Sequence, residues 1–353
     1  MPADDATTTR EEWVGLLPEE IEERLRPLGV PRFRASQVFR WIHRHGARGF
    51  DSMTNLPMEL RESLAARAAV GIPEIAARSE PGEDGSLKVL FRLSDGTGVE
   101  TVRIAGEDGP TACISSQAGC RYGCAFCATP LGGFARSLRA GEIAGQVLGL
   151  GERVRRVVYM GMGEPLANYA AVVKSVRLLT HPHGHALPAR RITISTVGLV
   201  PLIYRLAEER LGVRLAISLA AATDEKRASL MPIARQHRLD SLLAAASHFS
   251  EESGARVTFE YVLLAGVNDT DEDARALVRR LAPLRCKLNL IPFNAVNGLP
   301  FRAPSEKVIE RFLARLAPRL TVTVRRSAGR SLDAACGQLR LRLGEAGARE
   351  AGR

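Results

Sequence analysis

Apolar residues recur along the chain with two different periods. Between residues 10 and 95 the spacing is mostly helical. The segments that predict helices there are REEWVGLLPEEIEERLRPLG, ASQVFRWIHRHG and MTNLPMELRESLAARA. A hairpin is predicted next, over LKVLFRLSDGTGVETVRI, because an Asp-Gly turn signal separates two apolar runs. This part of the chain therefore predicts a small helical domain that leads into a short β element.

From about residue 108 short apolar runs alternate with helical stretches. The runs that predict strands are TACISS, VRRVVYM, RITISTV, VRLAISL, RVTFEYVLL and KLNLIPF, with a last strand at LTVTVRRS. Such alternation predicts an α/β fold with a parallel sheet and helices outside it. Six units are too few for an eight-stranded barrel, so we predict a partial (β/α)6 barrel. Its site should lie at the carboxyl ends of the strands.

The two patterns divide the chain into three predicted parts. Residues 1–95 form a small helical N-terminal domain with a β extension, and residues 96–325 form the partial barrel. Residues 326–353 form a C-terminal segment that ends in a tail rich in Gly, Ala and charged residues.

Charge adds a first indication of function. The 353 residues include 49 Lys and Arg against 39 Asp and Glu, which gives a formal charge of +10. A surplus of this size favours polyanionic partners such as nucleic acid, although an Arg-rich protein without such a partner is the simple alternative.

The sequence predicts a cytoplasmic protein with no membrane partner. No apolar run reaches the length of a membrane span, and MPADDATTTREEW lacks the basic leader and apolar core of a signal peptide. Thiols stay reduced in the cytosol, so six cysteines argue against a disulfide framework. Three of them crowd into eight residues, which indicates metal binding or catalysis.

Those three cysteines are Cys120, Cys124 and Cys127, spaced C-x3-C-x2-C directly after the first predicted barrel strand. The spacing also fits one face of a buried helix, but Gly119, Gly123 and Pro130 are poor helix formers. A glycine-punctuated loop lets three thiolates converge and hold three irons of a [4Fe–4S] cluster, leaving the fourth iron open to a chelating molecule. A structural zinc site would normally need a fourth ligand nearby.

The other cysteines carry weaker signals. Cys286, at the start of a predicted strand, is interpreted as structural, as lone cysteines usually are. Cys336 lies in GRSLDAACGQLR, where small residues favour an accessible loop and basic neighbours such as Arg330 would favour the thiolate. The histidines of HPHGH (residues 181–185) suggest a metal site, but Pro182 and Gly184 favour a polar loop.

The cysteine spacing, with Phe126 before the third cysteine, resembles the radical S-adenosylmethionine (SAM) superfamily. Several further segments together resemble one family within it, the RlmN/Cfr family of RNA methyltransferases, over residues 30 to 342. They are RASQVFRWIHRHG, FDSMTNLP, CISSQAGCRYGCAFC, GMGEPLAN, RITISTVG, NLIPFN and DAACGQL. The segment TVRRSAGRSLDAACGQL is more similar to the RlmN form than to the Cfr form, although Ala328 and Arg330 depart from it.

The resemblance implies a role for each matching catalytic residue. Cys336 matches the cysteine that is methylated on sulfur by one SAM. A second SAM, bound to the cluster, yields the 5′-deoxyadenosyl radical that removes hydrogen from this methyl group, and the carbon radical adds to adenine. Cys113 matches the cysteine that resolves the protein–RNA adduct by forming a transient disulfide with Cys336. Glu100 matches the family's proton acceptor; without the resemblance it would be interpreted as a strand residue facing water.

The resemblance also implies the SAM contacts. Gly163 and Glu164 match the segment that meets the SAM amino group, and Ser195, Ser218 and Asn294 match polar contacts after later strands. Where the family commonly has Ser-Leu-His, this chain has Ser218-Leu219-Ala220. Only the backbone of Ala220 could then contribute to SAM binding.

The implied activity is methylation of carbon 2 of an adenosine in the peptidyl-transferase region of 23S rRNA, and of an adenosine in tRNA. The alternative within the family is Cfr-type methylation of carbon 8 of the same rRNA adenosine. The implied cofactors are a [4Fe–4S] cluster and two SAM molecules per turnover, with an electron donor such as flavodoxin as partner. Radical SAM chemistry on a small metabolite would leave the charge of +10 and the two extra cysteines unused. The non-enzymatic alternative is an iron–sulfur or zinc RNA-binding module, which reductive cleavage of SAM would distinguish from an enzyme.

Overall fold

The computed structural model describes residues 10–296 and 298–325. Three helices dominate the N-terminal part, and a short parallel pair of strands joins its two ends. The elements are β1 (Glu11–Glu12), α1 (Pro18–Leu25), α2 (Phe33–His43), α3 (Met58–Arg67) and β2 (Ala68–Ala69). Helix α1 begins with Pro18, which is already set for the first turn, and the Glu20 carboxylate accepts a hydrogen bond from the Leu17 N–H at 2.7 Å. The three predicted helices are confirmed.

Three antiparallel strands follow: β3 (Glu74–Arg78), β4 (Leu87–Arg92) and β5 (Gly98–Ile104). The turn between β4 and β5 contains Gly96 with φ of 80°, and the Asp95 carboxylate accepts from the Thr97 N–H at 2.9 Å. The predicted Asp-Gly hairpin is therefore confirmed, whereas β3 is an additional strand that pairs with β4.

Seven parallel strands form the rest of the main sheet. They are β6 (Thr111–Cys113), β9 (Arg156–Tyr159), β10 (Ile192–Thr196), β11 (Arg214–Ser218), β12 (Val257–Leu263), β13 (Cys286–Pro292) and β14 (Val322–Val324). Six of them are the predicted barrel strands, and β14 is the predicted last strand. Between β6 and β9 a separate antiparallel pair encloses the cysteine loop: β7 (Gln117–Gly119) and β8 (Phe134–Ser137).

Helices connect the parallel strands, as the alternation of patterns predicts. They are α4 (Ala140–Gly149), α5 (Tyr169–Thr180), α6 (Val200–Glu208), α7 (Asp224–Leu230), α8 (Leu239–Ser253), α9 (Asp271–Leu281) and α10 (Glu306–Leu316). Helix α9 begins at a reciprocal cap, in which Thr270 accepts from the Asp273 N–H and the Asp273 carboxylate accepts from the Thr270 N–H.

One ten-stranded sheet therefore runs from β3 to β14, in the order β3, β4, β5, β6, β9, β10, β11, β12, β13, β14. Its parallel part is the predicted partial barrel, open between its two ends. One face of the central strands belongs to the core, where Ile194, Leu215, Ile217 and Phe259 share that face and are completely buried. None of the helices in the described part of the chain combines the length and apolar character needed to cross a membrane.

Candidate functional site

The carboxyl ends of the parallel strands surround a cavity of about 210 Å³. Eight of the residues singled out in the sequence line it: Cys120, Cys124, Cys127, Gly163, Glu164, Ser195, Ser218 and Ala220. They come from loops and strand ends separated by up to a hundred residues, which the parallel sheet brings to one edge.

The cysteine loop is held by the short strands on either side of it. Gly119 adopts φ of 84°, and a Cβ atom there would lie 2.0 Å from the backbone oxygen of Gly133. The Cys120 N–H donates to the same oxygen at 3.0 Å. The backbones at the end of β7 and just before β8 therefore approach each other closely. On the other side the Ala125 N–H donates to the carbonyl of Leu230 at 2.9 Å, which fixes the loop to the end of α7. The loop is thus positioned from both ends.

The three thiols lie close enough to affect one another's ionisation. Burial is the main cause that raises the pKa of Cys124 to about 12, and the neighbouring Cys127 and Cys120 raise it further. Burial likewise raises the pKa of Cys120. Buried thiols with raised pKa values lose their protons only when a bound cation compensates the negative charge of the thiolates.

The donor set fits an iron–sulfur cluster. In the part of the chain that the structure describes, no three His, Cys, Asp or Glu side chains are grouped to hold a single metal ion. Cys120, Cys124 and Cys127 all line the cavity, and a cluster can take one cysteine per iron from such a set.

The Gly-Met-Gly-Glu turn after β9 lies against the strand of the cysteine loop. Gly163 has φ of 95°, and a Cβ atom there would lie 2.4 Å from the Cβ atom of Gln117. The Gln117 side chain accepts a hydrogen bond from the Glu164 N–H at 2.9 Å. The two glycines of the turn, Gly161 and Gly163, therefore allow close packing that any side chain would prevent.

Glu164 joins this turn to the next strand. Its carboxylate accepts from the Leu166 N–H at 3.0 Å and from the Val197 N–H at 2.8 Å, just after β10. Burial raises the pKa of Glu164 to about 7, and these donors oppose the shift. Glu164 therefore holds the turn against β10, and it also lines the cavity.

The Ser218-Leu219-Ala220 segment ends β11. Ser218 and Ala220 line the cavity, whereas Leu219 is buried and donates its N–H to the carbonyl of Glu260 at 2.9 Å. Ala220 has φ of 60°, in the left-handed region, and its carbonyl accepts from the Asn268 amide at 2.8 Å. This carbonyl is already engaged. Asn294 follows β13 and, like Leu219, is not among the described residues that line the cavity.

Cys113 and Glu100 lie on the neighbouring strands β6 and β5, outside the cavity lining. Both are buried. Burial raises the pKa of the Cys113 thiol to about 11, and the positive charge of Arg325 and the Met160 backbone oppose this shift. Cys336 lies outside the described residues.

Three further residues around the cavity had not been identified from the sequence: Arg227, Glu260 and Asn289. Arg227 is completely buried and donates to the carbonyls of Val197 and Leu219 at 2.6 and 3.1 Å. Glu260 lines the cavity from β12. The only sequence signal for it is an acid in the otherwise apolar run RVTFEYVLL.

A larger cavity of about 470 Å³ lies elsewhere, before the first residues of β9 and β10. Three arginines, Arg44, Arg48 and Arg153, give its lining a positive charge, and Glu152 lies beside them. It contains none of the site residues expected from the sequence, and it lies at the amino ends of the strands, away from the cysteine loop.

Known proteins place the chain in a family. Residues 114–278 match the Radical SAM superfamily, and residues 12–70 match the Ribosomal RNA large subunit methyltransferase N-terminal domain. A probable dual-specificity RNA methyltransferase RlmN of Symbiobacterium thermophilum is 46% identical over 336 residues, which cover 93% of this chain and 91% of that protein. The chain belongs to the RlmN family. The dual-specificity RNA methyltransferase RlmN of Syntrophus aciditrophicus is 43% identical over 328 residues, covering 91% and 94% of the two chains.

A solved structure agrees with this RlmN family assignment. The crystal structure of a radical SAM methyltransferase from Sphaerobacter thermophilus has a TM-score of 0.89 and 44% identity, covering 93% of this chain and 98% of that one. The resemblance found in the sequence and the α/β partial barrel are therefore confirmed. For an RlmN family member, the radical SAM superfamily implies a [4Fe–4S] cluster and SAM.

Proposed function

We propose that this protein methylates carbon 2 of an adenosine in 23S rRNA, and of an adenosine in tRNA. The observation that carries the proposal is the convergence of Cys120, Cys124 and Cys127 with Glu164 and Ser218 on one cavity. The names of the RlmN relatives, which describe RNA methyltransferases of dual specificity, support RNA as the substrate.

The chain's own residues divide the work of binding. Cys120, Cys124 and Cys127 hold the cluster, which with SAM supplies the electron and the radical that abstracts a hydrogen atom. The backbone at Gly163 and Glu164 meets the amino-acid part of SAM, with Ser195, Ser218 and Asn294 as polar contacts. In this segment Ser218 contributes a hydroxyl group, Ala220 lines the cavity and contributes only through its backbone, and Leu219 is buried.

Covalent chemistry falls to two further thiols. Cys336 accepts a methyl group from one SAM and delivers its carbon to adenine after a second SAM has been cleaved. The adduct would give up its unpaired electron to the cluster and the adenine carbon would lose its proton. The Cys113 thiolate then attacks the sulfur of Cys336, and the electron pair of the broken S–C bond passes to the methylene carbon, which takes up a proton and becomes the methyl group of the released RNA. A disulfide between the two cysteines remains. Glu100 accepts the proton that the adenine carbon loses.

The reaction also requires access of the adenosine to the site and a source of electrons. Target adenosines must be unstacked to reach a site within the sheet edge, which costs a few kcal/mol, and phosphate contacts supply binding energy. A low-potential reductant such as flavodoxin supplies the electron. The protein acts in the cytoplasm, where these RNAs occur.

The test combines cluster analysis with mapping of the product. Anaerobically reconstituted protein should carry about four irons per chain. It should add methyl to carbon 2 of adenosine in 23S rRNA fragments and in tRNA, seen by mass spectrometry of RNA digests, with two SAM consumed per methyl group. Cys124→Ala should lose the cluster and SAM cleavage, whereas Cys286→Ala, a free thiol away from the cavity, should keep both.

Two results would contradict the proposal. One is a wild-type protein that takes up a single zinc and no iron. The other is methylation at carbon 8 instead of carbon 2, which would favour the Cfr-type reaction.

A further inference from the structure

Glu260 has an unused hydrogen-bond acceptor inside the cavity. This residue lies within β12 and is only 8% exposed. Its Oε1 atom accepts from the Asn289 side-chain amide at 3.0 Å, but its Oε2 atom has no hydrogen-bond partner among the described residues. Burying a carboxylate oxygen without a donor is costly, and buried polar atoms in native proteins nearly always have partners. Oε2 is therefore suited to a donor that arrives with the ligand.

Glu260 belongs to a row of polar side chains. In the sheet register Ser218 of β11 lies opposite Glu260, and Glu260 lies opposite Asn289 of β13. Side chains in register on neighbouring parallel strands point to the same face. A hydroxyl, a carboxylate and a carboxamide thus stand side by side, with Ser218 and Glu260 both lining the cavity that contains the cysteines.

The positive charge of Arg325 acts on the Glu260 carboxyl group. Burial raises the pKa of Glu260, while the positive charge of Arg325 and the hydrogen bond from Asn289 lower it. Arg325 follows β14, and its backbone N–H donates to Leu290 at 2.8 Å, which fixes the start of its side chain beside β13. Because Asn289 holds only one oxygen of this carboxyl group, the other is available to ligand hydroxyl or amine groups.

The ligand chemistry that fits is a ribose with two free hydroxyl groups. A carboxylate accepts from neighbouring hydroxyls, and acidic residues bind ribose hydroxyls in this way in dinucleotide-binding folds. A nucleotide within an RNA chain has only its 2′ hydroxyl free, because its 3′ oxygen is esterified. SAM carries both hydroxyls. We propose that Glu260 binds the ribose hydroxyls of SAM through its free carboxylate oxygen, and that Asn289 holds the carboxylate in place.

This inference rests on the proposed function and divides SAM binding between two acids. Glu164 follows β9, whereas Glu260 lies on β12, three strands further along the sheet. At the usual strand spacing this separation is roughly 14 Å along the sheet. The amino-acid end and the nucleoside end of SAM are therefore held by different strands, and the reacting carbon between them is fixed.

The test measures binding without radical chemistry. S-adenosylhomocysteine and its 2′-deoxy and 3′-deoxy analogues are titrated calorimetrically into the cluster-containing protein, which cannot transfer a methyl group from them. Wild type should bind each deoxy analogue about tenfold to a hundredfold more weakly than S-adenosylhomocysteine, as expected for hydrogen bonds to a charged group. Glu260→Ala should weaken binding of S-adenosylhomocysteine by a similar factor and should no longer discriminate against the deoxy analogues. Glu272→Gln, an exposed acid on α9, should behave as wild type.

The other outcomes distinguish failure of the Glu260 contact from failure of the proposed SAM site. If Glu260→Ala discriminates as strongly as wild type, the contact does not exist. Should Glu260→Ala fail to fold, Glu260→Met decides instead, because it keeps most of the side-chain volume without a hydrogen-bonding group; unchanged discrimination there overturns the inference. Failure of wild type to bind S-adenosylhomocysteine at all would instead sink the proposed SAM site, whereas tight binding without discrimination would sink only the role of Glu260.

Discussion

Cys113 illustrates how burial sets the reactivity of a single residue. Its thiol is 8% exposed at the end of β6, and burial raises its pKa to about 11. At neutral pH the thiol is therefore protonated and a weak nucleophile. Arg325 is the charge that opposes this shift, so the residue that follows β14 influences the ionisation of the thiol.

We expect Cys113→Ala to trap the reaction. Without this thiol, Cys336 can still be methylated and its carbon can still add to adenine, but nothing releases the RNA. Denaturing gels should show protein covalently attached to RNA in Cys113→Ala. The attachment should be absent from the Cys113→Ala/Cys336→Ala double variant, and Cys286→Ala should turn over as wild type. Normal turnover of Cys113→Ala without an adduct would show that Cys113 has another role.

Residues were predictable from the sequence when a local motif marks them. Cys120, Cys124 and Cys127 follow a fixed spacing in one loop, so their convergence needs no knowledge of the sheet. Glu260 and Asn289 come together only because β12 and β13 pair in one particular register. That register is a property of the tertiary fold, so neither residue could be recognised from its neighbours in sequence.

At the scale of elements, long strands and helices were predicted better than short ones. The barrel strands are apolar runs bounded by helical patterns, and the structure has them where the pattern indicates. Strands β7 and β8 have three and four residues, with no alternation to recognise. Their pairing across the cysteine loop depends on the close approach of Gly119 to Gly133.

Gly119→Ala should therefore disrupt the loop that holds the cluster. The added Cβ atom would lie 2.0 Å from the oxygen of Gly133, and φ of 84° is unfavourable for alanine by about 1–2 kcal/mol even without a clash. We expect lower iron content per chain and a loss of at least about 2 kcal/mol in urea unfolding. Gly132→Ala is the matched control, because its Cβ atom would meet nothing within 4 Å. Equal iron content and stability in the two variants would refute this account of the loop.

The whole molecule has a charge that suits a large polyanion. The formal charge of +10 exceeds anything that SAM binding requires, and the basic cavity at the amino ends of the strands concentrates part of it. Long-range attraction of this kind is screened by salt, unlike contacts within a buried cavity.

RNA affinity should consequently fall steeply with salt. If six or more phosphates are neutralised, binding to 23S rRNA fragments should weaken by about a thousandfold or more between 50 and 200 mM salt. Filter binding across this range measures the slope. S-adenosylhomocysteine, titrated in the same buffers, should show far weaker dependence. Equal RNA affinity at both salt concentrations would argue against an electrostatic RNA surface.

The sequence indicates the class of the whole fold but not the continuity of its sheet. Alternating strands and helices predict the parallel part, because each connection is local. The antiparallel pairing of β5 with β6 joins the hairpin to the barrel, and no sequence pattern marks that junction. The proposed boundary between residues 95 and 96 accordingly falls in the turn between two paired strands.

That junction limits how the protein can be divided. Six residues of β4 pair with β5, so a fragment beginning at residue 96 would carry β5 with one entire side of its backbone unpaired. Exposed strand edges of this length recruit other chains, and proteins normally cover them. Expressed alone, the barrel would be prone to self-association through β5, and a fragment that begins before β3 would avoid this by keeping the antiparallel strands with the parallel ones.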